Sequence, residues 1–219
     1  MVRGGGETES LLHRTSPCGT LRREARQMDL LKAIAERRSV RKYRSDPVPD
    51  ERILQCIEAA RLAPSWANTQ VSRFVVVKDR AVKEALGAAL TPKNPAGQAF
   101  QDAPCLICLV AQRGIAGMKK GEQVTDKGDW FMFDAGLAMD HLMLFAYSLG
   151  LGTVPVGAFD AGKAEEALGV PEGYSVVAMT PLGYFDESPP PTPRKPLSDL
   201  LYLDRFGKAY EHEYPTDKP

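Results

Sequence analysis

The stretch WFMFDAGLAMDHLMLFAYSLGLG, Trp130 to Gly152, is the most apolar segment of the chain and the one that most narrows its folds. Asp134, Asp140 and His141 interrupt it, so no run reaches the roughly 18 apolar residues that a membrane span needs. A helix that is apolar on nearly every side has to be enclosed by other elements. The segment therefore predicts a central buried helix, started at Asp129 or its neighbour and ended by Gly150 and Gly152. With 219 residues and 43% hydrophobic content, one domain can supply the surrounding layers.

Around that helix the pattern predicts mixed α and β. Asp29 reads as the N-cap of a helix through Glu36, with Leu30, Leu31, Ala33 and Ile34 as its apolar side. Asp50 reads as the cap of a second helix, in which Ile53, Leu54, Ile57 and Ala60 repeat at helical spacing and Pro64 ends the segment. RFVVVKD and Cys105–Ala111 read as buried strands, Thr153–Val156 as a short strand, and YSVVAMTPLGYF as a strand and turn. Residues 81–90 and 161–168 read as helices, TPKNPAG as loop. Residues 112–128, rich in charge and glycine, read as an exposed loop or lid. The sum is one sheet of four or five strands flanked by helices. Residues 1–27 are Gly-rich and polar and read as a flexible extension; 28–219 form the domain, with an arm from about 186 stiffened by DESPPPTPRKP. A tail of that kind suits wrapping a partner subunit.

Several function classes recede. Lys plus Arg equals Asp plus Glu, 28 each, which argues against a nucleic-acid coat. His13, His141 and His212 have no metal-ligand spacing. Cys105 and Cys108 sit three apart on a strand, pointing to opposite faces, and are poor co-ligands. No metal site is expected. No membrane span or apolar signal core is visible, so the expected compartment is the cytoplasm.

Against this neutral background, ERRSVRKYR concentrates charge: Arg37, Arg38, Arg41, Lys42 and Arg44 lie within eight residues. If the chain is extended after Arg38, then Arg37, Ser39 and Arg41 share one side. Two guanidinium forks flanking a hydroxyl match a phosphate. Arg38, Lys42 and Arg44 then face solvent or acidic groups. APSWANTQ, Ala63 to Gln70, carries Ser65, Asn68, Thr69 and Gln70, whose amides and hydroxyls suit a heterocycle's edge. Arg194 and Lys195 add cations on the arm. Together the three segments suggest a phosphorylated planar ligand. No G-x-x-x-x-G-K-[ST] loop is present, and GLGTVPVG has the wrong spacing for a dinucleotide cradle.

In their order along the chain, AIAERRSVRKY, LAPSWANTQ, DAGLAMDHLMLFAYSLGLG, VPVGAFD and PRKPL resemble the flavin-dependent nitroreductase family. The resemblance implies an α+β fold with a central mixed sheet, and a homodimer with a domain-swapped C-terminal arm and FMN at the interface. It implies phosphate and ribityl contacts from Arg37, Arg38, Ser39 and Arg41, and phosphate contacts from Arg194 and Lys195. Pro64, Ser65, Trp66 and Asn68 resemble a loop reaching in from the other subunit, with Asn68 and Gln70 also placed for the ring edge. The backbone amides of Val156, Gly157 and Ala158 resemble the strand end that faces flavin N5; Gly157 stands where some members have an acidic residue.

The implied activity is a ping-pong transfer: hydride from NADH or NADPH, then reduction of a planar acceptor such as a nitroaromatic or quinone. No general acid is identified, and proton donation is left to water. Asp134 and Asp140 are expected to bond a backbone or a partner chain, and His141 to pack. Trp130, Phe131 and Phe133 are candidates to stack on a substrate. Related flavoproteins dehalogenate aromatics reductively or break down flavin, which would require lid groups such as Glu122 and Lys127. A flavin-binding protein without turnover is the non-enzymatic alternative.

Overall fold

The computed structural model of the chain describes residues 29–211. The expectations for residues 1–27 and His212 lie outside the described residues. Helix α1 (Leu30–Glu36) starts where the Asp29 carboxylate accepts the Leu31 N–H at 3.0 Å. Helix α2 (Asp50–Arg61) has Pro49 at its N-cap, and Asp50 stands one position inside, in the positive first turn, rather than capping it. Strand β1 (Ser72–Val77) leads to α3 (Arg80–Ala89) and α4 (Gly97–Asp102), then to β2 (Cys105–Gln112). A hairpin of β3 (Met118–Lys119) and β4 (Glu122–Gln123) precedes the long helix α5 (Phe131–Ser148). Strand β5 (Gly152–Thr153), helix α6 (Ala161–Leu168) and strand β6 (Tyr174–Gly183) complete the core.

The main sheet has order β1-β2-β6-β5 and is antiparallel in every ladder. The expectation of a mixed sheet is corrected. Its one parallel feature is the isolated bridge of Ser39 to Thr153. The unbroken apolar run of β2 looks like a parallel core strand, but it reports only that both faces are covered. On one face Cys105, Ile107 and Leu109 pack with Ile53 and Cys56 of α2 and with Ala135, Met139 and Leu142 of α5. On the other, Leu106, Cys108 and Val110 pack with Leu86, Phe100 and Met179. Cys105 and Cys108 therefore occupy opposite faces, as the strand period requires. Burial pushes their thiols up, to about 11 and about 12.

Three further expectations change. Within 91–100 the loop ends in α4, whose last carbonyls, Gln101 and Ala103, accept from the buried Lys83 ammonium at 3.1 and 2.6 Å. The segment 112–128 holds the β3–β4 hairpin instead of being all loop. Leu30, Leu31, Ile34 and Leu54, expected on apolar inner faces, are exposed, while Ala33, Ile53 and Ala60 carry the burial. None of the helices is long and apolar enough to cross a membrane among the described residues.

Candidate active site

The cation segment joins the sheet. Arg37 ends α1 with φ −56° and ψ 131°, so the chain leaves the helix extended. Ser39 bridges Thr153, and the Val40 N–H donates to the Thr153 carbonyl at 2.9 Å. Gly152 allows this approach, since a Cβ there would lie 2.9 Å from Val40 Cβ. Arg37 is partly buried, and its Nη1 is out of solvent with no hydrogen-bond partner. Thr153, 1% exposed, has an unpartnered Oγ1 beside Ser39. A buried polar atom left unpaired costs about 1–3 kcal/mol, and more when charged. Arg37 Nη1 and Thr153 Oγ1 are thus two unpaired buried groups on backbone segments joined by the Ser39–Thr153 bridge.

The other cations are partly occupied. Arg38 Nη1 donates to the Ala35 and Arg37 carbonyls at 2.6 and 2.9 Å, closing the end of α1. Exposed Arg41 donates to the Ser39 carbonyl at 3.3 Å. Arg44 pairs with Asp46 at 2.8 Å and reaches Asp186 at 3.8 Å. Hydrogen bonding to Arg44 holds the Asp46 carboxyl below its usual range.

From Thr153 the chain runs four residues, at most about 14 Å, to Gly157. The Val156 N–H donates to the Met179 carbonyl at 2.8 Å, so it does not face a ligand, and the expectation for that amide is corrected. A pleated strand end directs successive N–H groups alternately, and the sheet claims this one. The N–H groups of Gly157 and Ala158 donate to no acceptor among the described residues. The turn is held from behind: Asn94 Nδ2 and the Thr91 N–H both donate to the Ala158 carbonyl at 3.1 Å. Sequence reasoning set residues near 91–100 around the acceptor pocket without singling out these two; the Asn-Pro step in TPKNPAG was the available signal. Gly157 opens onto a hollow of about 440 Å³, bounded by Met132, Gly136 and Asp140 of α5, by Pro155, and by Val177.

The loop Pro64–Gln70 lies elsewhere. Ala67, Asn68 and Gln70 have φ of 42°, 58° and 50°. Non-glycine residues held there cost about 1–3 kcal/mol each and persist only when surroundings enforce them. The enforcing group is Asp134, 2% exposed, whose carboxylate accepts the Trp66 N–H at 2.9 Å and the Thr69 hydroxyl at 3.5 Å. Burial raises its pKa above the ordinary carboxyl value, against the lowering effect of those bonds. Ser65 Oγ accepts the Gln70 N–H at 3.0 Å. Trp66 packs on Trp130 with ring centroids 5.0 Å apart, and Trp130 meets Phe133 edge-on at 5.3 Å. Trp130 is thus engaged within the protein, whereas Met132 and Phe133 are more than half exposed. The loop borders a cleft of about 170 Å³ with Arg73, Phe74 and Asp134, and no residue lines both this cleft and the Gly157 hollow.

Arg194 and Lys195 are exposed on the arm, where Arg194 Nη1 donates to Thr192 Oγ1 at 2.6 Å and to the neighbouring Thr192 and Pro193 carbonyls. One chain therefore joins Ser39, through its bridge to Thr153, to Gly157 and Ala158 in a short strip of backbone, with Arg37 two residues before Ser39. It brings neither the 64–70 loop nor the arm's cations to that strip.

The fold and sequence match known proteins over most of the chain. The nitroreductase family model aligns with residues 34–184. An NADH dehydrogenase of Thermus thermophilus is 32% identical over 200 residues, covering 80% of this chain and 95% of its own. The crystal structure of a nitroreductase family protein from Clostridium novyi superposes with TM-score 0.65 at 30% identity, covering 84% of this chain and 97% of the other. NADPH:FMN oxidoreductase from Vibrio harveyi, in complex with NAD+, gives TM-score 0.69 at 25% identity, over 83% and 79%. Matched along its core in both sequence and architecture, this chain belongs to the nitroreductase family.

Proposed function

We propose that the chain binds FMN along the Arg37–Gly157 strip and uses it to move electrons from NADH or NADPH to a planar acceptor such as a nitroaromatic or quinone. As a nitroreductase-family member it is an NAD(P)H-dependent flavin oxidoreductase. The observation that carries the FMN assignment is the dry, unpartnered Arg37 Nη1 beside Ser39 and the orphan Thr153 hydroxyl. A phosphate would supply a charged acceptor for the Arg37 guanidinium, which is that donor's own chemistry. The unclaimed Gly157 and Ala158 amides, one short strand away, suit the ring's polar edge.

Bound there, FMN supplies hydride acceptance and electron delivery, chemistry that no side chain provides. The chain's residues hold and orient. Arg37 and Ser39 fix the phosphate end. The Gly157 and Ala158 N–H groups, anchored through Thr91 and Asn94, present fixed dipoles where charge develops. Met132, lining the Gly157 hollow, offers an apolar surface over which a flat acceptor excludes water. Pro64, Ser65, Trp66, Asn68 and Gln70, together with Arg194 and Lys195, reach the strip from a second copy of the chain in a homodimer. Exposed Leu30, Leu31 and Ile34 of α1 and the exposed arm at 190–201 support that assembly, because apolar surface of this kind calls for a cover.

The test is anaerobic addition of NADH or NADPH to protein loaded with FMN, followed by a quinone or nitroaromatic. The flavin's yellow absorbance is expected to fall with the nicotinamide and return with the acceptor. Retention of full absorbance for minutes with both nicotinamides would leave a flavin-binding protein without turnover. Return of absorbance only with a halogenated aromatic would favour reductive dehalogenation.

A further inference from the structure

The Asp134 carboxylate is buried under a loop 65–68 residues away in sequence and makes bonds only to that loop among the described residues. Its partners are the first residue of the Trp66–Asn68 turn and the residue that caps its end: the N–H of Trp66 and the hydroxyl of Thr69. Between them lie Ala67 and Asn68 with positive φ, and just beyond lies Gln70, also positive. No glycine eases this backbone, so its shape depends on the two ends being pinned. Trp66 then carries the anchor outward. Its ring packs on Trp130, whose Nε1 donates to Thr125 Oγ1 at 2.9 Å. Gly117, at φ +80°, lies so close that a Cβ would be 2.5 Å from Trp130 Cδ1. One carboxylate on α5 thereby connects the 64–70 loop to the hairpin segment 114–129.

We infer that Asp134 is a positioning residue: it holds the 64–70 loop in its left-handed turns so that Asn68 and Gln70 present their polar groups to FMN, and through Trp66 and Trp130 it steadies the 114–129 segment. This inference rests on the FMN reading proposed above. Asp134 takes no proton in the reaction. It acts by hydrogen-bond geometry, and an amide can reproduce that geometry: Oδ1 accepts from Trp66 N–H and Nδ2 donates to the Thr69 oxygen.

The experiment compares wild type, Asp134→Asn, Asp134→Ala and Thr69→Val. FMN affinity is read by fluorescence quenching, and the Trp66–Trp130 pair by near-UV circular dichroism of the FMN-free protein. Asp134→Ala is expected to lose the paired-tryptophan signal and bind FMN at least tenfold more weakly. Asp134→Asn should keep both within about threefold, and Thr69→Val should fall between. In the loaded enzyme, KM for the acceptor should rise more than kcat falls in Thr69→Val. Asp134→Ala with wild-type signal and affinity overturns the inference, as does Asp134→Asn behaving like Asp134→Ala, which would make the charge the active feature. If Asp134→Ala does not fold, Thr69→Val decides by the same readouts. Wild type that binds no FMN would sink the FMN reading instead, leaving the tryptophan signal to decide whether Asp134 anchors the loop.

Discussion

Gly117 shows how single positions decide this site. Its φ of +80° and the nearby Trp130 ring exclude a side chain for two separate reasons. Gly117→Ala is expected to cost about 2–4 kcal/mol in urea denaturation, combining backbone strain with overpacking. Gly114→Ala, at φ +75° but with open space, should cost only about 1 kcal/mol. Equal losses would mean that Trp130 is not seated against Gly117. Asp134 gives a pH prediction. Its folded pKa is raised, so its contribution to stability is full below about pH 4 and is lost as pH rises through the folded value. Asp134→Asn removes that loss, so its stability should fall less than that of wild type from about pH 4 to neutral; a parallel fall would contradict the burial argument. Arg37 and Ser39 were proposed from the sequence because their spacing is local. Thr91 and Asn94 were not, because their role depends on a carbonyl more than sixty residues away.

At the scale of elements, the enclosed character of α5 and the two-faced burial of β2 followed from apolar patterning alone. Strand direction did not, because burial on both faces says nothing about which way a neighbour runs. Helix α4 was missed because it is less than two turns long, begins on Gly97 and follows Pro95. Its end depends on Lys83, a residue that composition rules place on the surface. Lys83→Met should leave the Gln101 and Ala103 carbonyls unsatisfied and cost about 1.5–3 kcal/mol by denaturant titration. An unchanged midpoint would show that water replaces the ammonium there.

Across the whole molecule, sequence periodicity identified apolar faces on α1 and α2 correctly as apolar, but not what covers them. Leu30, Leu31, Ile34 and Leu54 find no cover within the described residues. The same holds for the arm, where Phe206 is 92% exposed. The homodimer proposed above would cover both. Leu31→Glu with Ile34→Glu is therefore expected to shift the chain to monomer by sedimentation and to abolish FMN binding with it, while far-UV circular dichroism is retained. A monomer that still binds FMN would remove the second copy from the site.

Whether Arg37 holds the phosphate of FMN is tested by a fluorescence titration of FMN with wild type and Arg37→Ala. Saturation at one FMN per chain is expected. The variant should bind about 10- to 150-fold more weakly, the equivalent of a charge-assisted bond of about 1.5–3 kcal/mol. No saturable binding by wild type, or equal affinity in Arg37→Ala, would contradict it.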